Sequence, residues 1–210
     1  LPFGQGLKLD AFLRAGWEMN ESLVEEDYYC GAMLGAIRLL KSGVTSVIDH
    51  CYPFHLSGLE TATMRAFNDL GIRGYLARGI MTKPFKPICE TRQEALDRIR
   101  SLVGEGHVPA ERLFVAPVSF RQAIPDDYRE SRKLADELGA GTYTHIAETA
   151  QEAESIIKEF DERPIHVLHE LGFSGPKTIL VHCVLLENSE INRLAENQTT
   201  VVHCPSNHMK

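Results

Sequence analysis

A regular alternation of helical patterns with short runs of β-branched residues most constrains what this sequence can fold into. The runs are short and apolar, as strands buried on both faces are, and they begin roughly 30 residues apart, the spacing of a parallel crossover unit. This repeat predicts an α/β protein with a parallel sheet. The predicted strands are residues 45–50, 73–78, 113–119, 141–145, 178–182 and 200–203.

The segments between these runs contain helix start signals. Thr91 with Glu94, and Thr149 with Glu152, have the spacing of a capping box before an apolar helical face. Six such units in a row favour a partial (β/α)8 TIM-type barrel, which eight units would close. We expect a single barrel domain over residues 1–210, incomplete at both ends. The alternative is an open doubly wound sheet that binds a nucleotide cofactor, but the GxGxxG motif expected after its first strand is missing.

Charge and hydropathy argue against two classes of partner. The 210 residues include 22 Lys and Arg against 29 Asp and Glu, a net charge of −7, with no basic block, so binding to a nucleic-acid backbone is not expected. No apolar run approaches the roughly 20 residues of a membrane span, and residues 1–4 do not resemble a secretory signal. We expect a cytoplasmic protein in which most of the five cysteines are reduced thiols.

Imidazole or carboxylate groups end four of the six predicted strands. Asp49 and His50 end the first strand, and His145, His182 and His203 end the fourth, fifth and sixth. Because the carboxyl ends of barrel strands converge at one mouth, this placement predicts a metal or catalytic site. The alternative is a set of unrelated core histidines that each have a hydrogen-bond partner. Alternate strand residues face opposite sides, so only one of Asp49 and His50 faces the interior, and His50 suits the mouth.

The segment at residues 142–149 is the most informative. His145 would close the fourth strand, Glu148 would lie three residues on in the following loop, and Thr149 would cap the next helix. A neutral imidazole binds a divalent metal, and a carboxylate beside an activated water can take up its proton and deliver it to a leaving group. Alternatively, Glu148 only stabilises the positive end of the following helix.

These motifs resemble the amidohydrolase superfamily. The resemblance rests on His145-x-x-Glu148 followed by Thr149, on the His-Cys pairs at residues 182–183 and 203–204, and on the approach to the first predicted strand at residues 39–49. It spans nearly the whole chain. The most similar branch contains the aminohydrolases and chlorohydrolases that act on cytosine, guanine, oxidised purines, triazines and adenosine-type substrates.

The resemblance implies a role for each matching position. His145 matches a metal-ligand histidine, Glu148 the proton-shuttling acid, and His182 a histidine that either touches the metal or orients water and leaving group. His203 lies in a motif that lines the pocket, and Ser119 stands near the position of a substrate-binding histidine. The implied cofactor is one divalent metal, Zn²⁺ or Fe²⁺. The implied reaction replaces an amino or halide group on a small heterocyclic substrate with activated water.

Departures from the family pattern keep a second reading open. The family's first strand supplies an HxH pair, but residues 1–43 contain no histidine, and its eighth strand supplies an Asp that this sequence does not reach. At most two expected ligands are left, whereas a catalytic zinc needs three protein ligands and a water. The alternative is therefore a catalytically incomplete barrel fragment or binding module without turnover.

Two further patterns receive structural interpretations. His166 and His169 lie three residues apart, but the apolar face of their predicted helix leaves both for solvent, so no metal is expected there. The apolar stripe of residues 9–17, which ends at Trp17, suits packing over the barrel or against a second copy of the chain, as in a homodimer.

Overall fold

Six parallel strands form one sheet in which sequence order and spatial order are the same. The computed structural model describes residues 6–52, 56, 58–83 and 88–209. The strands are β1 (Ser46–Cys51), β2 (Arg73–Ile80), β3 (Leu113–Pro117), β4 (Gly141–Ile146), β5 (Thr178–His182) and β6 (Thr200–Val202). All six predicted strands are confirmed to within a few residues. The consecutive order has no switch point, so the doubly wound alternative is wrong.

Nine helices occur in the described part of the chain, and most of them cross over between neighbouring strands. They are α1 (Leu9–Asn20), α2 (Glu25–Lys41), α3 (Leu59–Leu70), α4 (Arg92–Gly104), α5 (Pro125–Leu138), α6 (Ala150–Phe160), α7 (Pro164–Glu170), α8 (Asn188–Glu196) and α9 (Pro205–His208). None of them is both long and apolar enough to cross a membrane.

The sheet curls strongly. His50 on β1 and His145 on β4 lie three strands apart, which in a flat sheet would separate them by about 14 Å. Their ring centroids are nevertheless 4.8 Å apart. The structure is therefore a curled partial (β/α)8 barrel, as the repeat predicts. Within the described residues β1 and β6 each pair with a strand on one side only.

Alternate strand residues fill the two faces of this sheet. Ala77, Ala116, Tyr143 and Val181 pack together on the concave face. The convex face packs against the helices in two larger clusters, which include Leu76, Leu113 and Leu134 in one and Ile146, Leu168 and Leu180 in the other. Side chains of one strand that differ by an odd number of residues therefore lie in different environments.

Helix α4 begins as the sequence predicts. The Thr91 backbone N–H donates to Glu94 Oε2 at 2.8 Å, and the Glu94 N–H donates to Thr91 Oγ1 at 3.2 Å. At α6 only half of the expected box forms. Thr149 Oγ1 accepts from the Glu152 N–H at 3.2 Å, but the Glu152 carboxylate accepts from a backbone N–H one residue before Thr149.

Buried acids in the first turns of α5 and α8 tie each helix to the preceding part of the chain. Asp127 and Glu190 are fully buried, and each accepts a hydrogen bond from the backbone N–H three residues before it. An arginine compensates each charge: Arg92 Nε lies 2.7 Å from Asp127, and Arg163 Nε lies 2.6 Å from Glu190. A buried carboxylate is stabilised by hydrogen bonds and by an opposite charge, and each of these acids has both. The two contacts together fix the position of the chain segment that precedes each helix.

Helices α1 and α7 bear on two of the sequence predictions. Trp17 packs against Met81 and Val118, so the apolar stripe of residues 9–17 covers part of the barrel. Packing over the barrel is one of the two interpretations of this stripe. His169 is exposed, as predicted, whereas His166 is half-buried with Nε2 3.4 Å from Ser189 Oγ.

We expect Gly141→Ala to destabilise the protein by about 1–3 kcal/mol, because a Cβ at this position would lie 2.8 Å from the Lys177 carbonyl oxygen, which is backbone and cannot swing away. Urea denaturation measures the change. Gly104→Ala is the control, since nothing lies within 4 Å of its added Cβ at the end of α4. Equal stability of the two variants would contradict the close packing at Gly141.

Candidate metal and catalytic site

Three imidazoles meet at the carboxyl ends of the strands. The His145 ring lies 4.8 Å from the His50 ring and 5.3 Å from the His182 ring, measured between centroids. Tyr143 lies directly below, with its ring 4.9 Å from that of His50. The sheet's curl thus brings together three of the four histidines that the sequence places at strand ends.

His145 is oriented by the neighbouring strand segment. Its Nδ1 lies 3.2 Å from the backbone carbonyl oxygen of Val118. A carbonyl can only accept, so Nδ1 carries the hydrogen and the neutral ring keeps its lone pair on Nε2. Burial, and secondly the nearby His182, lower the pKa of His145 to about 4. A neutral imidazole whose second nitrogen donates to a carbonyl is the usual form of a metal-ligand histidine.

His182 reaches the mouth through an unusual backbone conformation. Thr178 and Leu180 of the same strand face the helices, so regular alternation would turn His182 the same way. Instead His182 and Cys183 both have left-handed φ angles, 78° and 50°. Cys183 then packs on the helix side while the His182 ring faces His145. Such strain in a non-glycine residue is characteristic of functional sites.

Both ring nitrogens of His182 have polar neighbours. Nε2 lies 3.4 Å from Glu148 Oε1, and Nδ1 lies 2.9 Å from His208 Nε2. Burial lowers the pKa of His182, although the Glu148 carboxylate acts in the opposite direction. One nitrogen of the His182–His208 pair must donate and the other must accept, so the two tautomers depend on each other.

Glu148 stands between a histidine and an arginine. It follows Ala147, whose left-handed φ of 51° ends β4, and its side chain is 19% exposed. Glu148 Oε2 lies 3.3 Å from Arg121 Nη1, while Oε1 faces His182. The carboxylate therefore has a fixed direction over the mouth, beyond what helix capping requires.

The pair at the end of β1 separates as alternation demands. His50 faces the concave side, where its ring stacks on His145 and lies 5.2 Å from that of Tyr52. Burial, and secondly His145, lower the pKa of His50. Asp49 lies on the other side, and burial raises its pKa to about 6.

The remaining predicted contact residues lie farther out. His203 is exposed after β6, with its ring 4.8 Å from that of His208. Ser119 is buried in the loop after β3, where its hydroxyl hydrogen-bonds Gln122 and accepts from the Arg121 backbone N–H. The structure brings His145, Glu148, His182 and His50 together, but leaves these two at the edges.

The donor set fits a divalent metal in kind but not in number. His145 and His182 are neutral imidazoles at the mouth, the chemistry that zinc and iron bind. Residues 6–52, 56, 58–83 and 88–209 contain no group of three or more His, Cys, Asp or Glu side chains arranged to hold a metal. A catalytic metal here would need further ligands.

Two residues of this site were missed from the sequence. Arg121 lies in the loop after β3, where a charged residue following a strand end is a usable signal. His208 ends α9, and its Nε2 lies 2.9 Å from His182 Nδ1. Neither contact is local in sequence, so spacing alone does not reveal it.

Comparison with known proteins identifies the family. A model of the amidohydrolase family matches residues 2–210. The chain belongs to the amidohydrolase family. A 5-methylthioadenosine/S-adenosylhomocysteine deaminase of Symbiobacterium thermophilum is 32% identical to it over 200 residues, which cover 92% of this chain and 43% of the relative. The amidohydrolase chain thus spans less than half the length of this relative.

Solved structures show the same fold. A mutant atrazine chlorohydrolase from Arthrobacter aurescens, complexed with zinc and atraton, superposes with a TM-score of 0.86 at 21% identity, covering 100% of this chain and 51% of that one. An adenosine deaminase from Xanthomonas campestris with bound zinc has a TM-score of 0.82 at 26% identity, covering 95% and 44%. The partial barrel of this amidohydrolase therefore matches about half of each larger chain.

We expect the metal-free protein to lose stability as the pH falls from about 6.5 towards 4. Folded His145 has a pKa near 4 against 6.5 for a free imidazole, so over this interval the unfolded state binds the extra proton. His145 alone should lower the free energy of unfolding by on the order of 1–2 kcal/mol between about pH 7.5 and about pH 5.

Urea denaturation in the presence of a chelator measures this change. His145→Gln should remove part of the pH dependence, and His107→Gln, at an exposed position, should leave it intact. An identical pH dependence in His145→Gln and the unmodified protein would refute the lowered pKa of His145 in the folded state.

Proposed function

We propose that this chain forms part of the active site of a metal-dependent hydrolase that removes the amino group from an adenosine-type nucleoside. The observation that supports this most is His145, held by the Val118 carbonyl with its Nε2 lone pair towards the mouth, beside a Glu148 carboxylate aimed at His182. Family membership supports the reaction class. The names of the Symbiobacterium and Xanthomonas relatives support adenosine derivatives as substrates.

We assign His145 and His182 as the metal ligands of this chain. Zinc is the first candidate, because two solved relatives contain it, and iron is the second. When bound, such a metal supplies a water of lowered pKa at neutral pH. The neutrality of both imidazoles favours binding, because each neutral ring already has one nitrogen without a proton.

Glu148 is the proton carrier in this proposal. Its Oε1 faces the space between His182 and the mouth, where it can take a proton from the attacking water. The same carboxyl then returns that proton to a ring nitrogen. The remaining hydroxyl proton passes to the amino group, the carbon–nitrogen bond breaks, and ammonia leaves as a ring carbonyl forms. In the alternative in which His182 does not bind the metal, its Nε2, 3.4 Å from Oε1, holds the water or the leaving group in line.

For substrate contacts we propose His203 first, because it is exposed at the rim beside His208. His50 lies beneath His145, so it would act on a bound ring by supporting the imidazole above it. Ser119 already hydrogen-bonds Gln122 and would contact a substrate only after that loop rearranged.

One observation favours the second candidate, a binding module without turnover: the described residues supply fewer than three metal ligands. Ammonia release separates the two candidates. Zinc-loaded protein is offered adenosine, 5-methylthioadenosine, S-adenosylhomocysteine, aminated pyrimidines and aminotriazines. Release from a nucleoside supports the deaminase. Binding of a nucleoside without release supports the module.

We expect Glu148→Gln to retain metal and to lose turnover by about 100-fold or more, because glutamine keeps the shape of the side chain but cannot carry the proton. Ammonia release and metal analysis of the same preparation measure the two effects. Glu154→Gln, at an exposed position on α6, is the control. Undiminished turnover in Glu148→Gln would exclude the assigned role.

We expect His145→Ala to lower the metal content of the purified protein well below about one ion per chain, because it removes the oriented Nε2. Elemental analysis measures the content after dialysis. His169→Ala, at an exposed histidine of α7, should leave it unchanged. Equal metal content in all three proteins would mean that His145 is not a ligand.

A further inference from the structure

Helix α6 has a buried acid in its first turn, as α5 and α8 do. The arginine near this acid does not pair with it closely, in contrast to the arginines at α5 and α8. The Glu152 side chain is 2% exposed, and its Oε2 accepts from the Glu148 backbone N–H at 2.9 Å. By analogy with Asp127 and Glu190, an arginine from the preceding unit should pair closely with it. Arg121 is in that position, but its Nη2 is 3.9 Å from Glu152 Oε2.

Arg121 instead makes its close contacts at the mouth. Nη1 lies 3.3 Å from Glu148 Oε2, and Nη2 donates to Thr149 Oγ1 at 2.9 Å. Glu152 Oε1 is left without a hydrogen-bond partner among the residues that the structure describes. An under-satisfied buried carboxylate costs stability, so the position of the guanidinium is not explained by helix capping alone.

The contact divides the two oxygens of Glu148. Oε2 is paired with Arg121, which leaves Oε1 directed at His182 Nε2. A glutamate side chain at the end of a strand has three rotatable bonds, and without a partner it would sample several directions. The guanidinium also bonds Thr149, so it is anchored to the same loop that it orients.

We propose that Arg121 is a positioning residue that holds the Glu148 carboxylate in the direction needed for proton transfer. The arginine makes its close polar contacts with Glu148 and Thr149, and it acts on the reaction through Glu148. This inference rests on the proposed function, because it assigns Arg121 to the proton step of the same site.

The test compares kinetic constants of the zinc-loaded protein and four variants. Arg121→Gln should lower kcat about 10- to 100-fold while KM changes less than about threefold, because misdirected catalytic groups affect the chemical step more than ground-state binding. Arg121→Lys keeps the charge but cannot bond Glu148 and Thr149 with one planar group, so its kcat should be intermediate.

Arg163→Gln is the matched control. It breaks the equivalent pair with buried Glu190 one unit farther along the chain, so it should lower the melting temperature without a selective loss of kcat. An equal loss of kcat in Arg163→Gln and Arg121→Gln would overturn the proposal, since general loosening would then explain both. Wild-type kcat in Arg121→Gln, with Glu148→Gln inactive, would overturn it as well.

A structural measurement keeps this inference separate from the proposed function. If the zinc-loaded protein releases ammonia from no substrate, the proposed function fails, and crystal structures of the unmodified protein and Arg121→Gln decide the role of Arg121. A Glu148 carboxylate that rotates away from His182 in the variant supports positioning. A carboxylate that keeps its place beside His182 overturns it.

Discussion

A parallel sheet with helices on one face must also cover its other face, and here the sheet does so by curling. Small and aromatic side chains from alternate positions fill the concave side, Ala77 and Tyr143 among them. The same curl brings the rings of His50 and His145 into contact, although two strands lie between theirs. The geometry of the mouth is thus a consequence of barrel curvature, and the positions of these imidazoles depend on the packing beneath them.

Electrostatics at the mouth follow from that enclosure. The His145 ring lies 4.8 Å from the His50 ring and 5.3 Å from the His182 ring, too close for all three to be charged. Burial lowers the pKa of all three histidines. Each neutral ring therefore keeps a lone pair on one of its nitrogens. The Glu148 carboxylate is balanced by Arg121 at the rim, so a formal negative charge is kept near the histidines without being isolated.

Much of this could be predicted from sequence, because it depends on local periodicity. The strands, the start of α4 and the inward direction of His145 follow from alternation and capping rules. The direction of the His182 side chain does not follow from these rules, because its left-handed backbone turns the ring to the face opposite to the one that alternation along β5 predicts. The partners Arg121 and Glu148 are 27 residues apart, and no spacing rule connects them. The Glu152 carboxylate accepts from the Glu148 backbone N–H and not from that of Thr149, and this shift likewise depends on the tertiary arrangement of the loop.

The hydrogen bond from His145 Nδ1 to the Val118 carbonyl has a consequence for how such a site changes or is transplanted. The tautomer of a residue on β4 is decided by the main chain beyond β3, so the register between these strands determines which His145 nitrogen keeps its lone pair. A substitution that shifts the register of β3 by one residue would remove the hydrogen bond that fixes the His145 tautomer, although every side chain of the site would still be present. Moving the His-x-x-Glu motif to another scaffold with its His145 tautomer intact therefore requires the segment after β3 as well as β4.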